Sequence, residues 1–141
     1  MYPMPRLIPR LAALALLAGC SGSPVTPSPV DEQVSIPYGQ TVEVGTSGIS
    51  VRFDSVVEDS RCPANAMCLW EGRAVVKLVV FLGRAAIGVT LQSSPAASRT
   101  VSAGSIRVEW VQLEPYPYAG QPTEPGAYRV TLNSSISRFL P

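Results

Sequence analysis

From Val34 onward, apolar residues recur at every second position, and no stretch there shows helical spacing. Ile49, Val51 and Phe53 alternate with Ser50, Arg52 and Asp54. Ile106, Val108 and Trp110 alternate with Arg107 and Glu109, and Tyr128, Val130 and Leu132 with Arg129 and Thr131. Successive side chains of a strand point to opposite faces, so each set builds one apolar and one polar face. Val42 and Val44, and then Ile87, Val89 and Leu91, repeat the pattern. Residues 74–82 are nearly all apolar, with Lys77 the only charge, and read as a strand covered on both faces or nearly so. Fourteen prolines and eleven glycines break the chain into short segments of this kind. The expectation is an all-β fold: an antiparallel β-sandwich of seven or eight strands, with a small β-barrel as the alternative. Residues 114–126 hold four prolines and two tyrosines and are expected to form a long ordered loop between the last two major strands.

The first residues follow another rule. Arg6 and Arg10 precede an unbroken apolar run over residues 11–18, and Gly19 and Cys20 close it. A positive leader, a short apolar run and small residues are the layout of a secretory signal. The run is about half of the roughly 20 residues a spanning helix needs. Leu17, Ala18, Gly19 and Cys20 resemble the lipobox of bacterial lipoproteins. That resemblance implies cleavage before Cys20, acylation of its thiol and a chain tethered to a membrane by its first mature residue. An ordinary signal peptide with a soluble product is the competing reading. Ser21 does not match the inner-membrane retention signal of Gram-negative lipoproteins. The implied location is therefore the bacterial cell envelope, facing the periplasm from the outer membrane if the host is Gram-negative. The expected organisation is a signal peptide over residues 1–19, a lipidated Cys20 with a Pro/Ser-rich linker over 20–33, and one β domain over 34–141.

Charge and cysteine content narrow the class further. Losing Arg6 and Arg10 turns the formal charge of +1 into a slightly acidic balance, which does not point to nucleic acid. With Cys20 assigned to the lipid, Cys62 and Cys68 remain, and an even pair in an exported chain reads as a disulfide. A zinc site needs more ligands than a chain with three cysteines and no histidine offers. Asp54, Glu58, Asp59 and Glu71 supply hard oxygens suited to calcium. They do not follow the spacing of an EF-hand loop, and no metal or cofactor is assigned.

Cys62 and Cys68 lie in the richest local cluster of the chain, from Glu58 and Asp59 through Ser60, Arg61, Cys62 and Pro63 to Cys68, Leu69, Trp70 and Gly72. An acidic pair, Ser-Arg-Cys-Pro, a spacer, then Cys, a hydrophobic residue, Trp and a nearby Gly resembles the core motif of a family of uncharacterised bacterial lipoproteins and secreted β domains. Leu113, Glu114, Pro115, Tyr116 and Pro117 are similar to that family's closing segment. The resemblance spans most of residues 38–133 and implies a fold and a disulfide, but no activity. Trp70 is expected to anchor the core or its rim at the start of a buried strand. Arg61 is expected to pair with Glu58 and Asp59 or to clamp backbone. The functional reading is a stapled interaction loop carrying Arg61, Pro63, Ala66, Met67 and Trp70, since a pre-ordered loop loses less entropy on binding.

Catalytic signatures are missing. There is no histidine, no Gly-x-Ser-x-Gly elbow, no Ser-x-x-Lys motif and no phosphate-binding glycine loop. A carboxylate pair of the glycosidase kind is the one chemistry left open by these residues. The chain is therefore read as a non-enzymatic, lipid-anchored binding module with the membrane and an envelope protein as partners. The alternatives are a protease inhibitor with Ala66 or Met67 as its specificity residue, and a purely structural envelope domain.

Overall fold

A computed structural model describes residues 31–45 and 48–136. Residues 1–19, expected to be a signal peptide, and Cys20 lie outside the described residues, as does most of the segment expected to be a linker. Among the described residues, eight strands form two antiparallel sheets, and neither closes into a barrel. They are β1 (Asp31–Pro37), β2 (Thr41–Val44), β3 (Ile49–Asp59), β4 (Ala74–Leu82), β5 (Ala85–Gln92), β6 (Thr100–Ala103), β7 (Ile106–Glu114) and β8 (Arg129–Ile136). One sheet has the order β1-β8-β7-β6 and the other β2-β3-β4-β5. The described chain begins in the first sheet, crosses for a four-strand meander, and crosses back. β1 begins at Asp31, within the segment read as linker.

The alternation in the sequence becomes the core between the sheets. Ile49, Val51 and Phe53 from β3 face Ile106, Val108 and Trp110 from β7 across it, with Val130 and Leu132 of β8. Phe53 meets the Tyr38 ring edge-on at 5.6 Å between centroids. In β7 the register shifts between Trp110 and Gln112, so the inward phase passes from Trp110 to Leu113. An extra residue in one strand of a pair does this. β3 shifts twice, between Phe53 and Ser55 and between Val56 and Glu58, which ends its simple alternation after Asp54.

The burial of β4 is less complete than its apolar sequence implies. β4 is buried along one face by Ala74, Val76, Leu78 and Val80; on the other face Val75 is also buried, Val79 and Phe81 are half-buried and Lys77 is exposed. A two-layer sandwich leaves the outer face of each sheet towards solvent, so β4 is fully covered on its inner face and only partly on its outer one. β6 was not distinguished as a strand in the sequence, because its four residues Thr-Val-Ser-Ala are too few to show a period.

The connections sort to two ends. The β2–β3, β4–β5 and β6–β7 turns lie at the end where Asp31 enters. There the Gly45 backbone N–H donates to Glu32 Oε2 at 2.7 Å. The β4–β5 and β6–β7 turns are two residues long with Gly83 or Gly104 first, each at positive φ, as tight hairpins require. The long connections, over residues 60–73, 93–99 and 115–128, gather at the opposite end. The nine-residue strands β4 and β7 put about 30 Å between the two ends.

Candidate functional site

The far end is organised around one arginine. Arg61 is only 9% exposed and donates from Nε and Nη2 to the two carboxylate oxygens of Asp59, both at 2.7 Å. Nη1 donates to Leu113 O at 2.7 Å, and Nη2 donates also to Pro115 O at 3.1 Å. The guanidinium also lies 4.9 Å from the centre of the Tyr116 ring. Tyr128 Oη donates to Asp59 Oδ2 at 3.1 Å. One buried ion pair thus ties the end of β3 to the end of β7 and the start of β8, across the two sheets. The planar fork of arginine suits this, since it serves a carboxylate bidentately and still has donors for carbonyls. Burial first, and then the negative Asp59, push the Tyr128 phenol above the ordinary tyrosine range.

Beyond the clamp, β3 and β4 stay joined by an irregular ladder. The Ser60 N–H donates to Arg73 O and the Cys62 N–H to Glu71 O, each at 2.8 Å. Gly72 makes this possible. It sits at φ +66°, and a Cβ there would overlap the Ser60 carbonyl oxygen. Glu58 accepts from Arg73 at 3.0 Å and from Ser60 Oγ at 2.8 Å, and these donors hold its carboxyl below the usual range.

Cys62 and Cys68 form a disulfide with their Cα atoms 5.9 Å apart. Inside it, the Ala66 N–H donates to Pro63 O at 3.0 Å and closes a turn. The turn is docked from outside. The Ala64 N–H donates to Pro117 O at 2.9 Å, and Asn65 Oδ1 accepts from the Ala119 N–H at 2.7 Å. The loop is therefore held by a covalent bond, an internal turn and a neighbouring loop 54 residues away.

On this fixed base the apolar residues point outward. Met67 and Leu69 are fully exposed and Trp70 is 75% exposed, with Tyr116 and Tyr118 half-exposed nearby in sequence to the docking residues. Trp70 is not a core anchor. β4 begins only at Ala74, and the ladder through Cys62, Glu71 and Gly72 leaves Trp70 outside the sandwich. Of the residues expected in the loop, Pro63, Ala66, Met67 and Trp70 lie in or beside the stapled turn, Pro63 half-buried and the others exposed. Arg61 is buried beneath it and belongs to the clamp. Asn65, Leu69 and Tyr116 were not singled out for display or docking. Leu69 carried a visible signal, an apolar residue beside a disulfide cysteine.

Two hollows flank the clamp. A groove of about 310 Å³ between the stapled loop and β7 is lined by Glu71, Ser93, Arg99, Gln112 and Tyr116, among others. A second, of about 260 Å³, includes Tyr38, Val57, Glu58 and Tyr128. The carboxylates weighed for calcium are largely committed elsewhere: Asp54 to Arg52, Glu58 to Arg73 and Asp59 to Arg61. Among the described residues, no group of three or more His, Cys, Asp or Glu side chains is placed to hold a metal ion. Among the described residues, no helix is long and apolar enough to cross a membrane.

No protein-family model, curated protein or solved structure matches the chain.

Proposed function

We propose that this chain is a lipid-anchored binding module of a bacterial envelope, held at Cys20 and presenting its stapled loop to a protein partner. The observation that carries the reading is the outward placement of Met67, Leu69 and Trp70 on a loop already fixed by the Cys62–Cys68 disulfide. Met67, Leu69 and Trp70 fall within four consecutive residues, and a cluster of large exposed apolar side chains suits an interaction site. Each of the three contributes about 1.5–3 kcal/mol when a partner removes it from water. Ordering costs little, because the loop's backbone is already fixed. The membership of the uncharacterised lipoprotein family suggested by Ser60, Arg61, Cys62, Pro63, Cys68, Trp70 and Gly72 is part of this proposal.

The end-to-end arrangement supports the same reading. The chain enters at Asp31, at the end opposite the loop. A tether on the N-terminal side therefore leaves the loop on the distal end, about 30 Å beyond the first strand residue. A substrate-mimic inhibitor is less well supported. A protease cleft takes an extended segment, and the Pro63–Ala66 hydrogen bond folds this one into a turn.

Two experiments test the proposal. Cross-linked pull-down from intact envelopes should capture a partner with the wild-type protein and lose it with Met67→Ser/Leu69→Ser/Trp70→Ser; equal capture by both would refute the loop's role. Cys20→Ala should release the protein from the membrane fraction, and a variant still bound there would refute the anchor.

A further inference from the structure

The four sheet edges of this sandwich are β1, β6, β2 and β5. An edge strand offers unpaired backbone donors and acceptors, and soluble proteins blunt such edges with charge, proline, bulges or shortness. Three of the four edges follow that rule. β1 carries Asp31, Glu32 and Pro37. β2 is four residues long and includes Glu43, and β6 is also only four residues long.

β5 departs from it. Its eight residues, Ala-Ala-Ile-Gly-Val-Thr-Leu-Gln, contain no charge and no proline. Its register against β4 runs from Val75↔Gln92 to Leu82↔Ala85 without a shift, so no bulge twists the edge away. Among the described residues, no backbone hydrogen bond joins β5 to anything but β4. Its outer face is small and open: Ala86, Gly88 and Thr90 are exposed, and a Cβ at Gly88 would meet nothing within 4 Å.

We infer that β5 is a self-association edge, and that a second copy of this chain adds its own β5 in antiparallel register. A two-fold axis at Gly88 sets Gly88 against itself, Ala86 against Thr90 and Ile87 against Val89. The half-buried Ile87 and the buried Val89 then continue the apolar inner layer from one sandwich into the next. The absence of charge selects this occupant. In a two-fold antiparallel pair, any charge at the strand centre meets its own copy, and β5 has none. β5 itself carries no charged side chain to read out a foreign peptide sequence, and the nearest charge on its outer face is Lys77 of β4, opposite Thr90; self-pairing needs only backbone bonds and small residues.

The test is the solution mass of the full chain carrying Cys20→Ser, so that neither an acyl chain nor a thiol at that position joins two copies. Light scattering should give the mass of two chains for this protein and for a Ser102→Lys control on β6. Gly88→Lys should halve the mass with an unchanged circular-dichroism spectrum. Thr90→Lys repeats the test at a second exposed position, in case one substitution disturbs the fold. A one-chain mass before any β5 substitution would overturn the inference. So would a two-chain mass that survives both β5 substitutions, or one that is lost in the Ser102→Lys control.

Discussion

The two tryptophans of this chain stand in regions built on opposite terms. Trp110 ends an alternating run in β7 and is 5% exposed, whereas Trp70 follows the second cysteine of the staple and is 75% exposed. In the sandwich, backbone bonds lie in regular ladders and apolar side chains turn inward. In the loop end, backbone position is fixed by a disulfide, a buried arginine and cross-loop hydrogen bonds, and Met67, Leu69 and Trp70 turn outward. The difference teaches that Met67, Leu69 and Trp70 stay exposed where the polar and covalent scaffold already fixes the backbone.

The sharpest way to break this comparison is to truncate both rings. Trp110→Ala should cost about 3–5 kcal/mol of unfolding free energy in a urea titration, as large-to-small core changes do. Trp70→Ala should stay within about 0.5 kcal/mol, as exposed substitutions do. Comparable losses at both sites would mean that Trp70 packs in solution.

Arg61→Ala comes next. It leaves Asp59 buried without its partner and strips donors from Leu113 O and Pro115 O, at a cost of about 3 kcal/mol. Hydrogen exchange should rise at Ala64 and Ala119, whose N–H groups hold the docked loops together. Unchanged exchange at both would show that the clamp does not position the loop. Cys62→Ser/Cys68→Ser should cost about 2 kcal/mol, the entropy of closing so short a loop, while the sandwich spectrum persists. Loss of the β signal would make the staple part of the fold rather than of the loop.

The smallest effect is at alkaline pH. The Tyr128 phenol has a raised pKa in the folded state, because burial and Asp59 disfavour its anion. The folded state therefore holds this proton more tightly than the unfolded chain. The stabilisation is complete below the ordinary tyrosine pKa and is lost as pH rises through the raised value. Urea midpoints should fall above about pH 10 in the wild type and less in Tyr128→Phe, which itself costs about 1 kcal/mol at neutral pH. Parallel pH profiles would remove Tyr128 from the clamp's energetics.

The sandwich was legible because strand periodicity is a local signal. Ile49, Val51, Phe53, Ile106, Val108 and Trp110 all reach the core that their spacing implies. The Cys62–Cys68 bond was legible from the cysteine count. Other features were not, because they arise from contacts distant in sequence or from single inserted residues. The bulge that turns Leu113 inward leaves no signature of its own. The partners of Arg61 at Leu113 and Pro115 lie more than 50 residues away. Trp70 misled because its identity suggests burial, whereas its burial depends on where the irregular β3–β4 ladder ends.

The central claim is that the stapled loop is a contact surface, and photo-cross-linking in intact envelopes tests it most directly. A photoreactive amino acid would replace Leu69 on the loop and, as a control, the exposed Arg107 on β7. The account predicts a discrete adduct from position Leu69 that is missing from position Arg107. No adduct at Leu69, or the same adducts from both positions, would contradict it.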